Sequence, residues 1–340
     1  MTNERIETAE RTETAGRTET AGRTETAGRT ETGQAMVAVC VATYARPDGL
    51  ARLLDGLAAL RTNACIRVVV VDNDAAGPSR EACEARARAF ALGLRYEVEP
   101  RRGITYARNK AVEAAGTDVD FIAMLDDDEV PEPNWLTALL RVQAKYDADI
   151  VTGPVIPYFP APPSEWVRDG RFFDRPRYET GHELPHAHTH NVLVRRSVFE
   201  KTGRFDDRFA LTGGEDLQFF RRAKANGARI VWANDASVEE WIPASRANFG
   251  WLLRRAYRNG ATHGQVERDR PDAFVALPMR IVRGMGRMAQ GILLTPVALL
   301  SLRDRRVRLV RALMLIWRGA GMITGALGGR YEEYRVTHSV

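Results

Sequence analysis

Three consecutive carboxylates, Asp126, Asp127 and Asp128, follow an apolar run from Phe121 to Leu125. The apolar run is typical of a buried strand, so the carboxylates would stand at the carboxyl end of that strand. Adjacent carboxylates repel one another, and removing them from water is costly unless a cation neutralises them. Their hard oxygen atoms suit Mg²⁺ or Mn²⁺, which would in turn hold the phosphates of a substrate. A solvated acidic loop before a helix is the alternative interpretation of the triplet taken alone.

The residues before this triplet predict strands that alternate with helices. Apolar runs at Met36–Thr43 and Val68–Val71 are typical of buried strands, and each precedes a predicted helix, the first of which has an apolar face. Such alternation implies a largely parallel α/β sheet, in which ligands bind beyond the carboxyl ends of the strands. Here those ends carry Thr43, Asp72 and the acidic triplet.

The predicted elements are less regular in the second half of the chain. Residues 150–156 are expected to form one strand, and residues 157–188 a long loop rich in Pro, Arg, His and aromatic residues. A helix should begin after Gly213-Gly214. In the first half, the Ser79 side chain is expected to cap the helix that stops at Gly93.

Both ends of the chain differ from its middle in composition. Residues 11–33 repeat Arg-Thr-Glu-Thr-Ala-Gly without any large apolar residue, which predicts a disordered tail. Residues 245–340 contain 17 arginines and 6 acidic residues, a balance of +11 in a chain of net charge +5. Apolar and aromatic residues accompany these arginines, which favours an anionic membrane surface over nucleic acid as the partner. We therefore predict a tail at 1–33, a folded domain at 34–260 and a helical membrane-associating extension at 261–340.

Six short motifs occur in an order and spacing that point to one enzyme family. They are Val39-Cys-Val-Ala-Thr-Tyr-Ala-Arg46, Val70-Val-Asp-Asn73, Gly103-Ile-Thr-Tyr-Ala-Arg-Asn109, Leu125-Asp-Asp-Asp-Glu-Val-Pro131, Asn191-Val-Leu-Val-Arg195 and Gly214-Glu-Asp216. With them the chain resembles the family 2 glycosyltransferases, nucleotide-sugar-dependent enzymes of GT-A fold, over about Val37 to Gly260. It is similar in particular to bacterial exopolysaccharide glucosyltransferases of the succinoglycan type. The resemblance implies a Rossmann-like, mostly parallel sheet flanked by helices.

The resemblance also implies roles on the donor side of the site. Asp128 would bind Mg²⁺ or Mn²⁺, and Asp126 would face the ribose or the metal, which would bridge the diphosphate as UDP departs. The other residues expected to bind the nucleotide sugar are Thr43, Arg46, Asp72, Asn73 and Arg108. Family members often have a second acid where this chain has Asn73, which leaves the choice of base open. Strand-end capping by Thr43 and a surface helix charge at Arg108 are the structural alternatives.

On the acceptor side, the resemblance implies that Asp216 deprotonates the acceptor hydroxyl, with Glu215 as an alternative base or an orienting residue. Acidic residues also occur in first helical turns for dipole reasons alone. The implied reaction is inverting transfer of a sugar, expected to be glucose, from a UDP-sugar to a glycan or a polyprenyl-diphosphate-linked acceptor. The rival interpretations are a metal-dependent nucleotidyltransferase and a non-catalytic, membrane-bound scaffold that binds nucleotide sugars.

The C-terminal third is predicted to contact a membrane. Met288 to Leu302 has no charged residue, and Arg280, Arg283 and Arg287 precede it on one helical face. This pattern favours an interfacial or re-entrant element with snorkelling arginines, and a soluble hairpin packed on the folded domain is the alternative. We expect a peripheral or monotopic protein on the cytoplasmic face of the bacterial inner membrane, because the first residues have no apolar core for a signal peptide.

Four histidines lie close together in the predicted loop. They are His182, His186, His188 and His190. Their spacing invites a zinc interpretation, but no matching cysteine or carboxylate accompanies them, so an acceptor-side lid is the favoured prediction.

Overall fold

A seven-stranded sheet forms the centre of the protein in a computed structural model, which describes residues 33–268, 272–301 and 304–335. The predicted tail at 1–33 therefore lies outside the described residues, apart from Gly33. The strands are β1 (Met36–Thr43), β2 (Cys65–Asp72), β3 (Leu94–Val98), β4 (Phe121–Asp126), β5 (Glu129–Pro131), β6 (Ile150–Thr152), β7 (Val155–Tyr158), β8 (Val192–Arg195), β9 (Ile230–Trp232) and β10 (Val238–Trp241). The α-helices are α1 (Pro47–Ala58), α2 (Arg80–Arg86), α3 (Ile104–Ala114), α4 (Trp135–Tyr146), α5 (Glu165–Gly170), α6 (Arg196–Thr202), α7 (Glu215–Ala225), α8 (Phe249–Arg268), α9 (Ala273–Leu300) and α10 (Arg305–Ala326).

The large sheet has the strand order β3-β2-β1-β4-β8-β6-β9. Strand β1 pairs in parallel with β2 and β4, and β2 pairs in parallel with β3. Strand β8 runs antiparallel to both β4 and β6, whereas β6 and β9 are parallel. The predicted mostly parallel α/β sheet is therefore confirmed, with one reversed strand in its middle.

Helices cover both faces of this sheet and bury its apolar side chains. On one face, α1, α2 and α4 pack leucines and Trp135 against strand residues such as Val39. On the other face, α3, α6 and α7 contribute alanines and three phenylalanines, including Phe219, and Phe205 joins them from the loop after α6. Because successive side chains of a strand point to opposite faces, strands covered on both sides have continuous apolar sequences. This explains why the central strands could be recognised from the sequence.

A second sheet, of order β5-β10-β7, stands beside the large one. The prediction of one strand over residues 150–156 is wrong, because the chain leaves the large sheet after β6 and enters the small sheet at β7. Gly153 and Pro154 make this break. A Cβ atom on Gly153 would lie 2.2 Å from the Ala236 carbonyl oxygen, and Pro154 has no N–H for a sheet hydrogen bond. The predicted loop at 157–188 also contains helix α5.

Helices α8, α9 and α10 form a bundle that we call the helical region, and the strands with α1–α7 form the sheet region. Helix α10 packs along both α8 and α9. The Arg311 side chain of α10 donates from Nη2 to the Gly170 carbonyl oxygen of α5 at 3.2 Å, which joins the two regions. Helix α8 continues across residue 260, where the sequence predicts a domain boundary.

Glycines line the contacts between the helices of this bundle. A Cβ atom on Gly321 of α10 would lie 2.0 Å from the Tyr257 carbonyl oxygen of α8. One on Gly291 of α9 would lie 2.5 Å from the Ala312 carbonyl oxygen of α10. The helices therefore approach backbone to backbone, as small residues allow in helices packed within membranes.

Helix α9 exposes most of its large apolar side chains, with exposed fractions of 72% for Leu293 and 83% for Leu300. Residues 288–300 belong to one continuous helix and Leu302 lies outside the described residues, so the re-entrant alternative for Met288–Leu302 is not tested. The interfacial alternative stays a prediction. Among the described residues, α10 is the one helix whose length and composition would allow it to cross a membrane, and 39% of its apolar stretch is buried.

Candidate active site at the carboxyl edge of the sheet

The polar residues that end the central strands lie together at one edge of the large sheet. The strand register places Thr43 opposite Asp72, and Ala42 opposite Asp126. This edge is where open α/β sheets bind ligands. Thr43, Asp72 and Asp126 therefore lie at this edge, and Arg46 and Arg108 contact the acidic triplet there.

Arg46 and Arg246 bind the second and third carboxylates of the acidic triplet, Asp127 and Asp128. Asp127 accepts hydrogen bonds from Thr43 Oγ1 at 2.9 Å and from Arg46 Nη1 at 3.0 Å. Asp128 accepts from Arg46 Nη1 at 3.2 Å and from Arg246 Nη1 at 2.7 Å. Thr43, the last residue of β1, and Arg46, three residues further on, therefore both contact the acidic triplet. Arg246 was not predicted, because no motif in the sequence singles it out.

The triplet has the donor chemistry of a divalent-cation site. Burial raises the pKa of Asp127 to about 6. The positive charge of Arg46 opposes this rise, and the negative charge of Asp128 adds to it. Within the described residues, no three His, Cys, Asp or Glu side chains converge to form a protein-only metal site. Mg²⁺ is commonly held by one or two carboxylates together with substrate phosphates and water. Asp126 and Asp128 fit that pattern, whereas the zinc interpretation of the histidines lacks a ligand set.

Arg108 joins the acidic triplet to helix α7. Its Nη2 donates to Asp126 Oδ1 at 2.8 Å, and its Nη1 donates to Glu215 Oε1. Arg108 is buried, so the alternative of a surface helix charge is wrong. Burial acts to lower the pKa of Arg108, but Glu215 and Asp126 raise it above its usual range. Burial raises the pKa of Glu215, which is 1% exposed, to about 7, although Arg108 opposes this.

Asp216, the next residue of α7, contacts a histidine. Its Oδ2 lies 2.8 Å from His188 Nδ1, and its Oδ1 accepts a hydrogen bond from the Leu217 amide at 2.6 Å. Burial acts to raise the pKa of Asp216, but His188 and Arg108 lower it below its usual range. Asp216 is therefore ionised at neutral pH, as a group that accepts a proton must be.

The histidine segment holds His188 in this position. The His188 ring lies between those of His186 and His190, with centroid distances of 5.3 Å and 5.1 Å. Arg175 Nη1 is 2.6 Å from His190 Nε2. Sequence reasoning missed the contact between His188 and Asp216, because the two residues are 28 positions apart in different segments. The alternating histidines were the available signal.

Asp72 is wholly buried and binds the protein itself. Its Oδ1 accepts from the Asp74 amide at 3.1 Å, and its Oδ2 accepts from the Ser79 amide at 3.1 Å and the Tyr96 hydroxyl at 3.0 Å. The predicted cap by the Ser79 side chain is wrong, because no side-chain capping hydrogen bond forms there. A ligand that binds Asp72 directly would have to replace one of these partners, so that contact stays a prediction.

Asn73 fixes the loop that precedes helix α3. Its Nδ2 donates to the carbonyl oxygens of Glu99 at 2.9 Å and Arg101 at 2.8 Å. Its Oδ1 accepts from the Gly103 amide at 2.8 Å. Because Gly103 is the residue before α3, Asn73 positions the helix that carries Arg108. Direct contact of Asn73 with a nucleotide also stays a prediction.

A turn near the end of the described chain closes one side of this edge. The Tyr334 amide donates to the Leu211 carbonyl oxygen at 3.1 Å, and Arg102 Nε donates to the Tyr334 carbonyl oxygen at 2.7 Å. Glu333 forms an ion pair with Arg258 of α8. Sequence reasoning did not find this contact, since no motif marks the segment.

Comparisons with known sequences identify the family. The description "Glycosyl transferase family 2" matches residues 38–203, and "Glycosyl transferase family group 2" matches residues 121–325. The chain is 36% identical to the succinoglycan biosynthesis protein ExoM of Rhizobium meliloti over 242 residues, which are 68% of this chain and 74% of that protein. It is 28% identical to the glucosyl-dolichyl phosphate glucuronosyltransferase of Haloferax volcanii over 181 residues, 48% of this chain and 55% of that protein.

Solved structures show the same fold. The mannosyltransferase PcManGT from Pyrobaculum calidifontis, in complex with GDP-Man and Mn²⁺, gives a TM-score of 0.59 at 20% identity and covers 88% of this chain and 89% of that one. S. aureus TarS 1–349, in complex with UDP, gives 0.50 at 16% identity and covers 87% and 93%. These likenesses identify the α/β sheet and its helices as a GT-A fold. With its sequence matches over most of its length, the chain belongs to the family 2 glycosyltransferases.

Proposed function

We propose that the protein moves glucose from a UDP-sugar, with inversion, to a hydroxyl of a lipid-linked glycan in bacterial polysaccharide synthesis. Its family makes it a glycosyltransferase, and the relative named for succinoglycan biosynthesis supports the polysaccharide assignment. Two structures of the same fold hold UDP and GDP-Man, so the fold accepts more than one nucleotide and the donor has to be measured.

One observation carries the proposal: Arg108 connects the acidic triplet to the Glu215–Asp216 pair across the edge of the sheet. The triplet comes from β4 and the acidic pair from α7. The buried guanidinium of Arg108 therefore holds the carboxylates proposed to bind the metal and diphosphate next to those proposed to act on the acceptor hydroxyl. Transfer of a group from a diphosphate to a hydroxyl needs these two chemistries side by side.

On the donor side, a divalent cation held by Asp126 and Asp128 would supply positive charge that stabilises the departing diphosphate. Arg46 and Arg246 place guanidinium groups beside Asp128 at the same edge. Guanidinium groups bind phosphate oxygens through paired hydrogen bonds. These arginines would therefore contribute to diphosphate binding as well as balancing the acidic triplet.

On the acceptor side, Asp216 takes the proton of the acceptor hydroxyl while the hydroxyl oxygen attacks the anomeric carbon. His188 orients the carboxylate through its 2.8 Å contact. Attack from the face opposite the leaving diphosphate inverts the anomeric configuration and needs one base. Glu215 is occupied by Arg108, so its role is to orient that guanidinium.

The helical region supports an association with the cytoplasmic face of the inner membrane. Helix α9 exposes a row of large apolar side chains along its length. Arginines on α9 and α10 accompany it, as in helices that lie in the membrane interface with their cationic groups at headgroup level. A lipid-linked acceptor would then reach the site from the membrane.

The central test is the substitution Asp216→Asn, which keeps the size of the side chain but cannot take a proton at neutral pH. We expect transfer to fall by about 10²–10⁴-fold while donor affinity changes little. Glu215→Gln is the matched control and should be milder. Initial rates and melting temperatures are measured on the same preparations with a panel of UDP- and GDP-sugars. Near-normal turnover by the folded Asp216→Asn variant would overturn the assignment.

Metal dependence is tested with Asp128→Ala. The core of β4 ends at Leu125, so the fold should be kept while Mn²⁺-dependent binding of UDP is lost. Calorimetric titration with UDP, with and without Mn²⁺, measures the effect. Binding that depends equally on Mn²⁺ in the variant and the parent would exclude Asp128 as a ligand.

A further inference from the structure

The helical region encloses a cavity with a strongly basic wall. The cavity has a volume of about 410 Å³ and lies among α8, α9 and α10. Four arginines line it: Arg280, Arg283 and Arg287 from α9, and Arg318 from α10. The sequence pattern groups the first three on one helical face, and the fold adds the fourth from a neighbouring helix. Together they surround a space rather than a flat surface.

The positive charge of this wall is only partly balanced. Arg280 donates from Nε to Glu267 Oε2 of α8 at 2.7 Å. Arg283, Arg287 and Arg318 form no ion pair with any of the residues that the structure describes. Burial lowers the pKa of Arg318, and repulsion from Arg287 and Arg280 lowers it further. An anion in the cavity would relieve that repulsion, and guanidinium forks match phosphate oxygens.

The cavity lies next to the acceptor side of the candidate active site. His263 lines it, and burial and Arg280 lower the pKa of that imidazole to about 4, with His186 among the further causes. His186 packs against His188, which in turn contacts Asp216. Leu217, the residue after Asp216, also packs against Val266 of α8, so the helix that carries His263 lies beside the candidate base.

The helix that supplies three of these arginines also exposes its apolar side chains. The exposed fractions are 58% for Ile292 and 57% for Val282. A helix of this kind lies with its apolar side among acyl chains and its arginines at the level of the headgroups. The phosphate groups of a lipid would reach the cavity at that depth.

We propose that this cavity binds the diphosphate of a polyprenyl-diphosphate carrier while the attached glycan extends to Asp216. The proposal rests on the proposed function, because it assumes a lipid-linked acceptor. A dianionic diphosphate diester fits three unpaired guanidinium groups better than the single charge of a phospholipid headgroup does. Both lipids present phosphate oxygens, so the experiment separates them.

The test compares two triple variants that each remove three positive charges from the helical region. Arg283→Gln/Arg287→Gln/Arg318→Gln changes the cavity, and Arg305→Gln/Arg306→Gln/Arg308→Gln changes exposed arginines at the start of α10. Binding is measured by co-flotation with phosphatidylcholine vesicles that contain either a polyprenyl diphosphate or phosphatidylglycerol at equal total charge. Circular dichroism and melting temperature confirm that each variant is folded.

We expect the parent protein to bind the polyprenyl diphosphate vesicles more tightly than the phosphatidylglycerol vesicles. The cavity variant should lose this preference, with about a tenfold or larger drop in affinity for the polyprenyl diphosphate. The control variant should bind both vesicles more weakly and keep the preference. Equal losses in the two variants, or no preference in the parent, would overturn the proposal in favour of a diffuse basic surface.

Failure of the proposed function is detected separately. Binding of UDP-sugars by calorimetry does not involve the cavity, so both triple variants should match the parent in that measurement. A parent that prefers polyprenyl diphosphate vesicles but binds no nucleotide sugar would support the cavity assignment and contradict the transferase assignment. A parent that binds the nucleotide sugar but shows no vesicle preference would support the transferase assignment and contradict the cavity assignment.

Discussion

The sheet region and the helical region treat their apolar side chains in opposite ways. In the sheet region Leu50, Leu53 and Leu54 are wholly buried between a helix and the strands. In the helical region the large apolar side chains of α9 point outward, and the helices contact one another through glycines. Release of water drives the first arrangement, whereas close backbone packing holds the second. One chain therefore combines a region that buries its large apolar side chains with a helix that exposes most of them.

The largest difference between the two regions is expected when the same Leu→Ala substitution is made in each. Leu54→Ala leaves a cavity in a packed core and should lower the free energy of unfolding by about 2–5 kcal/mol. Leu293→Ala removes a side chain that is 72% exposed, and should change it by less than about 0.5 kcal/mol. Denaturant unfolding followed by fluorescence measures both.

Vesicle binding supplies the second half of that test. Leu293→Ala should weaken binding to phosphatidylglycerol vesicles, because the side chain would lie among the acyl chains, whereas folded Leu54→Ala should bind as the parent does. A large loss of stability in Leu293→Ala would show that the apolar side chains of α9 are covered by protein, as those of the sheet region are.

A smaller effect is expected at the glycine contacts. Gly321→Ala places a methyl group 2.0 Å from the Tyr257 carbonyl oxygen, so α8 and α10 must separate, at about 1–3 kcal/mol. Gly286→Ala on α9 is the control, since nothing beyond the adjacent backbone of its own helix lies within 4 Å of its Cβ position. It should be neutral or should stabilise the helix by up to about 1 kcal/mol. Thermal unfolding in detergent measures both, and equal melting temperatures would mean that the helices do not pack as described.

The smallest expected effect is a flat pH profile. His188 and Arg108 hold the pKa of Asp216 below its usual range, against burial, so its ionised fraction is constant between pH 6 and 8. If Asp216 is the base, kcat/KM should show no rise from titration of the base in that interval. Burial raises the pKa of Glu215 to about 7, so a Glu215 base would make kcat/KM rise about tenfold over the same interval.

The pH dependence of vesicle binding should differ from that of kcat/KM if Glu215 is the base. Binding to phosphatidylglycerol vesicles depends on arginines, which stay charged throughout this interval, and it should be flat whichever acid is the base. A rise in kcat/KM with flat vesicle binding would therefore assign proton transfer to Glu215 and leave the membrane contact unchanged.

The sequence predicted those parts of the molecule in which one local pattern decides the structure. The apolar runs at β1, β2 and β4 specified strands buried on both faces, and the residues that follow them specified the polar edge. The short strand β5 was missed, because Glu129 follows three carboxylates and makes the segment appear polar. Gly153 and Pro154 end β6 for reasons of tertiary contact, which a run of apolar residues does not reveal.

The candidate site shows the same limit. The acidic triplet and the Glu215–Asp216 pair were recognisable as motifs, but their connection through Arg108 joins residues 107 positions apart. Binding of the nucleotide by Asp72 stays a prediction, and the sequence did not reveal that Ser79, Asp74 and Tyr96 are its partners in the fold. A sequence specifies which groups can form hydrogen bonds, and only the fold decides which groups meet.

The contact between Arg102 and Tyr334 spans 232 positions of the chain. During translation the sheet region leaves the ribosome first, together with every acidic motif of the site. The turn at residues 333–335 emerges only after all three long helices have been made. A chain released early would carry the acidic triplet, Arg108 and Asp216, yet would lack the turn at residues 333–335 that contacts Arg102 and Leu211. Completion of the site is thereby tied to completion of the helical region.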